Sequence, residues 1–233
     1  MQEHETLDWV NREGRERAAP SIANPSWLVL ARRRELFRHW IQQLPASNLS
    51  VLDLGGRIQP YRPMLGDQVR HYVALDLHRS PLVNVVASGE QLPLPDSSFD
   101  LVICTKVLQY VSSPEKLIEE ARRVLRPGGH LFLSAPAIFP RDSERDLWRF
   151  TSAGLASLLS SFHEVAIAPE GYSISGMGRT VALMTTFAPS AFMRKLLGAT
   201  VVPVINVGTA ALESLVGSSN DQFTVNFSAF ARK

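Results

Sequence analysis

The chain has 233 residues, 45% of them apolar and 20% charged, with a formal net charge of +2 and one cysteine, Cys104. That is enough to bury one core and carry an insertion, and the net charge by itself argues neither for nor against a polyanionic partner. A lone cysteine excludes an internal disulfide, in keeping with a reducing cytoplasm, and the polar, charged first twenty residues do not read as a secretory signal.

Residues 1–26 read as a polar lead-in with Pro20 and Pro25, loosely ordered or wrapped on the surface. From Trp27 to Leu44, apolar residues recur at helical spacing around Arg32-Arg33-Arg34 and Arg38. This basic amphipathic helix is expected to pack over a sheet; its arginines also suit an anionic substrate or a membrane surface. Val51-Leu52-Asp53-Leu54-Gly55-Gly56 then reads as a buried strand delivering a loop. Asp53 needs partners in such a strand, and loop backbone N–H groups and a ligand at the strand's carboxyl end are expected to supply them. Gly55 and Gly56 let backbone approach that ligand without a Cβ in the way.

Tyr72-Val73-Ala74-Leu75-Asp76-Leu77 is a second apolar strand ending in an acid, 23 positions after Asp53. An acid there is where nucleoside-binding α/β folds hold ribose hydroxyls, although a strand-end cap is the plainer reading. A third strand is predicted over Leu82–Ala87 and a fourth over Phe99–Cys104, separated by the proline-stiffened Leu92-Pro93-Leu94-Pro95. A helix over Ser113–Leu125, capped by Pro127-Gly128-Gly129, leads to a fifth strand over His130–Ala135. The alternation predicts a doubly wound, seven-stranded, mostly parallel sheet.

Pro136–Thr151 gathers Arg141, Asp142, Glu144, Arg145, Asp146, Trp148 and Arg149 into a loop facing substrate, followed by a helix over Gly154–Leu159 capped at Thr151 or Ser152. Trp148 suits stacking on a sugar or other flat face, and a neighbouring acid suits taking a hydroxyl proton. Asp146 is the first candidate for that base and Tyr110 the second. The six histidines show no metal-ligand spacing. His163–Ala168 and Asp221–Lys233 are the last two strands, with roughly fifty residues between them. Within those, 181–216 is strongly apolar and comes close to a spanning segment. Helices covering the substrate mouth are expected there, acting as a buried lid, a homodimer surface or a peripheral membrane contact, with the lid favoured.

Asp53-Leu54-Gly55-Gly56, Asp76, Glu90-Gln91-Leu92-Pro93-Leu94-Pro95-Asp96-Ser97-Ser98-Phe99-Asp100, Val107-Leu108-Gln109-Tyr110-Val111 and Arg123-Val124-Leu125-Arg126-Pro127-Gly128-Gly129 together resemble the class I S-adenosylmethionine-dependent methyltransferases. The similarity is greatest to the type 11 methyltransferase domain and covers residues 49 to about 155. It implies a Rossmann-like fold in a single domain over 1–233; members usually join the last two strands by a brief hairpin, so the helical insertion expected before the last strand is a departure from the family. Its parts would be a lead-in and helix at 1–48, a cofactor-binding core at 49–170, the insertion at 171–220 and the last strand at 221–233.

The resemblance further implies S-adenosyl-L-methionine as cofactor. Asp53, Gly55, Gly56 and Arg57 would lie at its methionine end and Asp76 and Leu77 at its ribose. Ser88, Gln91 and Leu92 would lie at its adenine, and Thr105 beside the transfer site. Lys106, Trp148 and Arg149 would meet the acceptor, an oxygen or nitrogen of a small molecule, sugar or lipid-linked compound. Asp146–Thr151 resembles a segment common in members near sugar and glycolipid pathways.

The family's first loop usually reads Asp-x-Gly-x-Gly-x-Gly, whereas Arg57 and Gln59 occupy two of those positions, and Ser88 stands where an adenine-binding Asp is frequent. These departures support a second reading, a non-catalytic methyltransferase-like binding or regulatory scaffold. A nicotinamide dehydrogenase fits poorly because the glycines do not form Gly-x-Gly-x-x-Gly. Nucleic acid is not expected as a partner, since no basic stripe with interleaved aromatics extends beyond the Arg32–Arg38 helix. The expected location is cytoplasmic, with a membrane-peripheral variant if 181–216 meets lipid.

Overall fold

The computed structural model describes residues 6–45, 47–217 and 219–233; the first five residues of the expected lead-in lie outside them. Its strands are β1 (Leu49–Leu54), β2 (Val69–Asp76), β3 (Val85–Val86), β4 (Phe99–Thr105), β5 (Leu125–Pro136), β6 (His163–Pro169) and β7 (Asn226–Arg232). They form one sheet in the order β3-β2-β1-β4-β5-β7-β6. The first five are parallel, and β7 runs antiparallel between β5 and β6. The helices are α1 (Leu7–Ala18), α2 (Trp27–Ile41), α3 (Arg62–Leu65), α4 (Pro114–Val124), α5 (Ser152–Leu158), α6 (Ser173–Met184) and α7 (Ala191–Val216).

The near-continuous apolar runs of β1 and β4 place them at the centre, where both faces are covered. On one face α2 buries Leu36, Phe37, Trp40 and Ile41 against Phe132 and Phe230. The Phe37 and Phe132 rings lie 4.3 Å apart, and Trp40 stacks on Phe230 at 5.5 Å. On the other face α4 and α5 bury Leu117, Ile118, Ala121 and Leu155 against strand residues such as Leu52, Val102 and Leu133. Ser113 caps α4, its hydroxyl accepting from Lys116 N, with Pro114 at the first helical position. Thr151, one of the two predicted caps, starts α5 by accepting from Gly154 N at 3.0 Å.

Four segments differ from the sequence expectation. The lead-in contains α1, capped by Thr6 and anchored by buried Val10 and Gly14. Its mostly polar surface hid it, because only two positions face inward. β3 shrinks to two residues. β5 starts at Leu125, so Pro127-Gly128-Gly129 belongs to a strand and not to a helix cap. Gly128 at φ +78° lets the chain turn there, and the amides of Gly128 and Lys233 each find a carbonyl partner across the edge at 2.9 Å.

The fourth difference is the insertion. α6 and α7 form a hairpin whose contact depends on a small residue, since a Cβ on Gly178 would lie 2.2 Å from Thr209 Oγ1; Gly176 instead lets α6 approach the segment before β7, where a Cβ would lie only 1.8 Å from the Phe223 carbonyl oxygen. Asn206 Nδ2 fixes the hairpin to the body by donating to the carbonyls of Ile22 and Asn24, while Glu213 Oε2 of α7 ties the two helices together by accepting from Ser175 N and Oγ at the start of α6. Yet α7 is not a buried lid. Only Val202 and Asn206 are buried in it, while Phe187 at the bend and Phe192, Leu196, Val204 and Leu215 on α7 stand exposed. By length and composition α7 is apolar enough to cross a membrane, with Pro203 inside it.

Candidate functional site

β1 lies where the strand order reverses, flanked by β2 and β4, and the carboxyl ends of such strands frame a ligand crevice. Asp53 near the end of β1 is 3% exposed. Its Oδ2 accepts from Tyr72 Oη at 2.6 Å, and among the described residues no loop N–H donates to it, contrary to the sequence expectation. Asp53 pairs with Ala74 in the sheet, so Tyr72, two positions earlier on β2, shares its face. Burial drives the carboxyl up to about 7; Tyr72 opposes this and Asp76 adds to it.

The glycine loop is bound to the protein itself. Gly55 N and Gly56 N both donate to Leu75 O, at 2.8 and 3.2 Å. A Cβ on Gly55, whose φ is +75°, would lie 2.5 Å from Val107 Cγ2, and one on Gly56 2.8 Å from Asp53 O. Both glycines are therefore required by packing in addition to any ligand role. Gln59, at φ +42°, turns inward: its Nε2 donates to Leu82 O at 2.8 Å and its Oε1 accepts from Arg62. It braces the loop. Arg57 lies 5.9 Å from the Trp9 ring centroid and its carbonyl accepts from Ser80 Oγ. A Cβ on Gly14 would lie 2.5 Å from Ile58 O, so α1 closes directly on this loop.

At the end of β2, Asp76 Oδ1 accepts from His78 N at 2.8 Å, the cap anticipated as the plainer reading. Its Oδ2 meets no donor among the described residues. Leu77 beside it is exposed. Ser88 Oγ accepts from Glu90 N in a turn that leaves Gln91 exposed. Leu92 departs from its expected place: it is drawn into the apolar core, with its amide donating to Glu120. Thr105 ends β4 opposite Ser134.

The loop expected to supply a base is largely self-paired. Asp146, 2% exposed in its side chain, takes two hydrogen bonds from Arg149 at 2.5 and 2.8 Å and one from Asp142 N. The Arg149 bonds hold its carboxyl below the usual carboxylate range, which suits an anchor better than a base. Tyr110 donates to Asp142, and burial with that bond pushes its hydroxyl up to about 12. Arg149 Nε also donates to Phe139 O. Trp148 donates through Nε1 to Val111 O while its ring stays partly exposed.

Lys106 comes from the end of β4 at φ +60°. Its Nζ donates to Asn226 Oδ1 at 3.0 Å and lies 3.9 Å from the Phe139 ring centroid. Asn226 passes the contact inward, donating to Glu170 Oε2. Glu170, fully buried just after β6, also accepts from Arg33 Nε and Nη2 at 2.8 and 2.6 Å, Ser134 Oγ at 2.5 Å and Ser228 Oγ at 2.7 Å. Arg33 is thus the inward member of the arginine triplet, facing Glu170 instead of a substrate. Its spacing from Val29, Leu36 and Phe37 was the available signal, because it shares their helix face. Arg179 of α6, Phe139 and Glu170 carried no such signal. Among the described residues no group of three His, Cys, Asp or Glu side chains is placed to hold a metal ion.

The family model described as "Methyltransferase domain" matches residues 52–133. Residues 52–133 are thus similar to that family's domain. A thiol S-methyltransferase, TMT1B of Rattus norvegicus, is 47% identical over 66 residues, 28% of this chain and 27% of that protein. The chain spans only about a quarter to two fifths of the length of the first curated relatives it matches. Among solved structures, the chain resembles a 1,6-didemethyltoxoflavin-N1-methyltransferase of Burkholderia thailandensis, solved with bound 1,6-didemethyltoxoflavin and S-adenosylhomocysteine. That likeness has a TM-score of 0.54 at 17% identity, over 87% of this chain and 78% of that one. The [4+2]-cyclase SpnF gives 0.55 at 16%, over 86% and 80%. At such identities these likenesses show the fold alone.

Proposed function

We propose that this chain uses S-adenosylmethionine to methylate an oxygen, nitrogen or sulfur of a small, sugar or lipid-linked acceptor; sulfur enters through the name of the rat relative. The observation that carries the reading is the pair of acids at the adjacent carboxyl ends of β1 and β2. Asp53 is a buried carboxylate with one donor, Tyr72, which suits the ammonium of a methionine group. Asp76 keeps Oδ2 for the hydroxyls of a ribose. These donor sets fit the cofactor. When bound, it supplies a methyl on a positively charged sulfur. The chain's own part is to hold the acceptor in line and to exclude water, with α1 closing over the loop at Ile58.

Titration of S-adenosylhomocysteine into the purified protein and into Asp76→Ala tests the reading. Two charge-assisted hydrogen bonds lost from the ribose should weaken binding by roughly 10- to 100-fold or more. No binding to either protein at millimolar ligand would leave the scaffold reading in its place.

We further propose that the bend of the α6–α7 hairpin contacts an anionic membrane surface. Phe187, Phe192, Met193 and Leu196 are exposed there beside Arg194 and Lys195, the pairing of apolar anchors and cations that interfacial segments use. The protein should co-sediment with phosphatidylserine vesicles far more than with phosphatidylcholine vesicles, and Phe187→Ser/Phe192→Ser should lose most of that binding. Failure to bind either vesicle, with concentration-dependent dimerisation by light scattering, would reassign the face to a second copy of the chain.

A further inference from the structure

Among the described residues the cations around Phe139 make no hydrogen bond to a carboxylate. Arg179 is 5% exposed; its Nε donates to Ser26 Oγ, and its Nη1 is buried with no hydrogen-bond partner among the described residues. Its guanidinium carbon lies 4.3 Å from the Phe139 ring centroid and Lys106 Nζ lies 3.9 Å from the same centroid. The two cationic groups are therefore no more than about 8 Å apart. The single acid at the centre of this network, Glu170, has its oxygens taken by Arg33, Ser134, Asn226 and Ser228. Lys106 is left with a neutral amide oxygen, and Arg179 with a hydroxyl.

A buried guanidinium N–H without an acceptor is costly, and such a group persists where a ligand completes it. The location is informative, because Lys106 follows directly on β4, at the edge of the crevice opposite Asp76. Phe139 belongs to the loop after β5, and Arg179 to the insertion. Burial, with Arg33 and Arg179 adding to it against Glu170 and Asp142, brings the Lys106 ammonium down to about 7.

Resting on the methyltransferase reading, we propose that Lys106 and Arg179 form the specificity element for the acceptor and bind an anionic group on it, a carboxylate or a phosphate, beside the ring of Phe139. The acceptor is then an anionic molecule whose nucleophile lies at a fixed distance from its charge. The insertion would act as the part of the fold that selects it.

Matched probes test this: benzoate, phenyl phosphate and the neutral benzamide, each added at millimolar concentration to protein saturated with S-adenosylhomocysteine. One or both anions should raise the melting temperature of the wild type while benzamide does not. Lys106→Gln and Arg179→Gln should lose that response, Arg179→Lys should keep part of it, and cofactor affinity should change by less than about threefold in all of them. The ligand-free Arg179→Met variant should melt no lower than wild type, since it removes a buried cation whose Nη1 has no partner.

Equal stabilisation by benzamide, no response to either anion, or a response retained in both glutamine variants would overturn the proposal. So would a fall in the melting temperature of Arg179→Met, which would make Arg179 a structural cation. Loss of cofactor affinity in the glutamine variants would also overturn it, by assigning these cations to the cofactor's own carboxylate. If S-adenosylhomocysteine binds nowhere, it is the methyltransferase reading that fails, and the anion response is then read on the ligand-free protein.

Discussion

Glu170→Gln should cost about 3–5 kcal/mol of stability, a large part of the 5–15 kcal/mol that holds a typical domain folded. Among the described residues Glu170 is the only acid that Arg33 touches, and the pair sits where water does not reach: Arg33 is 4% exposed and Glu170 fully buried. Burial alone would raise the Glu170 carboxyl, but the Arg33 charge and the Arg33, Ser134 and Ser228 hydrogen bonds outweigh it and hold the group below its ordinary value. The amide of Gln leaves the guanidinium charge uncompensated and turns an N–H donor toward Arg33 or Asn226. Urea denaturation should show the loss in the midpoint.

The sign of the pH dependence follows from the lowered carboxyl. Glu170 contributes its stability above the unfolded value of about 4.3 and loses it as pH falls through the lower folded value. The gap between wild type and Glu170→Gln should therefore close in acid. A double-mutant cycle with Arg33→Met should show strong coupling. Additive effects would mean that the pair is not the unit the geometry describes.

Asp53→Asn should do the opposite, stabilising the protein while weakening its hold on S-adenosylhomocysteine. A carboxyl raised from 3.8 to about 7 by burial favours the unfolded state once it ionises. Its folded value lies above its unfolded one, so stability is highest below about 4 and falls as pH rises toward 7. The full penalty is roughly 4 kcal/mol, at ~1.4 kcal/mol per pKa unit. At pH 8 the Asn variant should thus melt higher than wild type, and near pH 4 the two should converge. Tyr72 Oη can still donate to the Asn oxygen. Ligand affinity in the wild type should tighten as pH rises toward 7, because only the ionised carboxylate attracts an ammonium. A destabilised Asn variant at pH 8 would show that Asp53 is instead a structural acceptor whose charge the fold requires.

Residue types that act locally were legible, and those that act at a distance were not. The apolar runs of β1 and β4, the Ser113-Pro114 start of α4 and the Thr151 cap each state their role within a few positions. Asp53 and Asp76 could be placed at strand ends in the same way. The partner of Asp53 could not, because it depends on the register that sets Tyr72 two positions from Ala74 on the same face. The Arg33–Glu170 pair spans 137 positions, and no local pattern joins them. Leu92 shows the reverse error: its motif position pointed to the crevice, while its apolar side chain found a better place in the core. Asp146 was read for its acidity, but the Arg149 three positions on had already claimed it.

The position of β7 has a consequence for how the chain reaches this structure. β7 is the wedge between β5 and β6, yet it is separated from β6 by the whole α6–α7 insertion. Closing the segment from 170 to 225 costs about 2 kcal/mol more entropy than closing a hairpin loop of about five residues, and it must be spent before the last strand contributes anything. Early formation of the α6–α7 hairpin shortens the effective length of that closure. The close fit of Gly178 on Thr209 is then a step on the folding route as well as a part of the folded state. Until β7 arrives, β5 and β6 each keep an unpaired edge, and the interval before its insertion is when the protein is most exposed to misassembly.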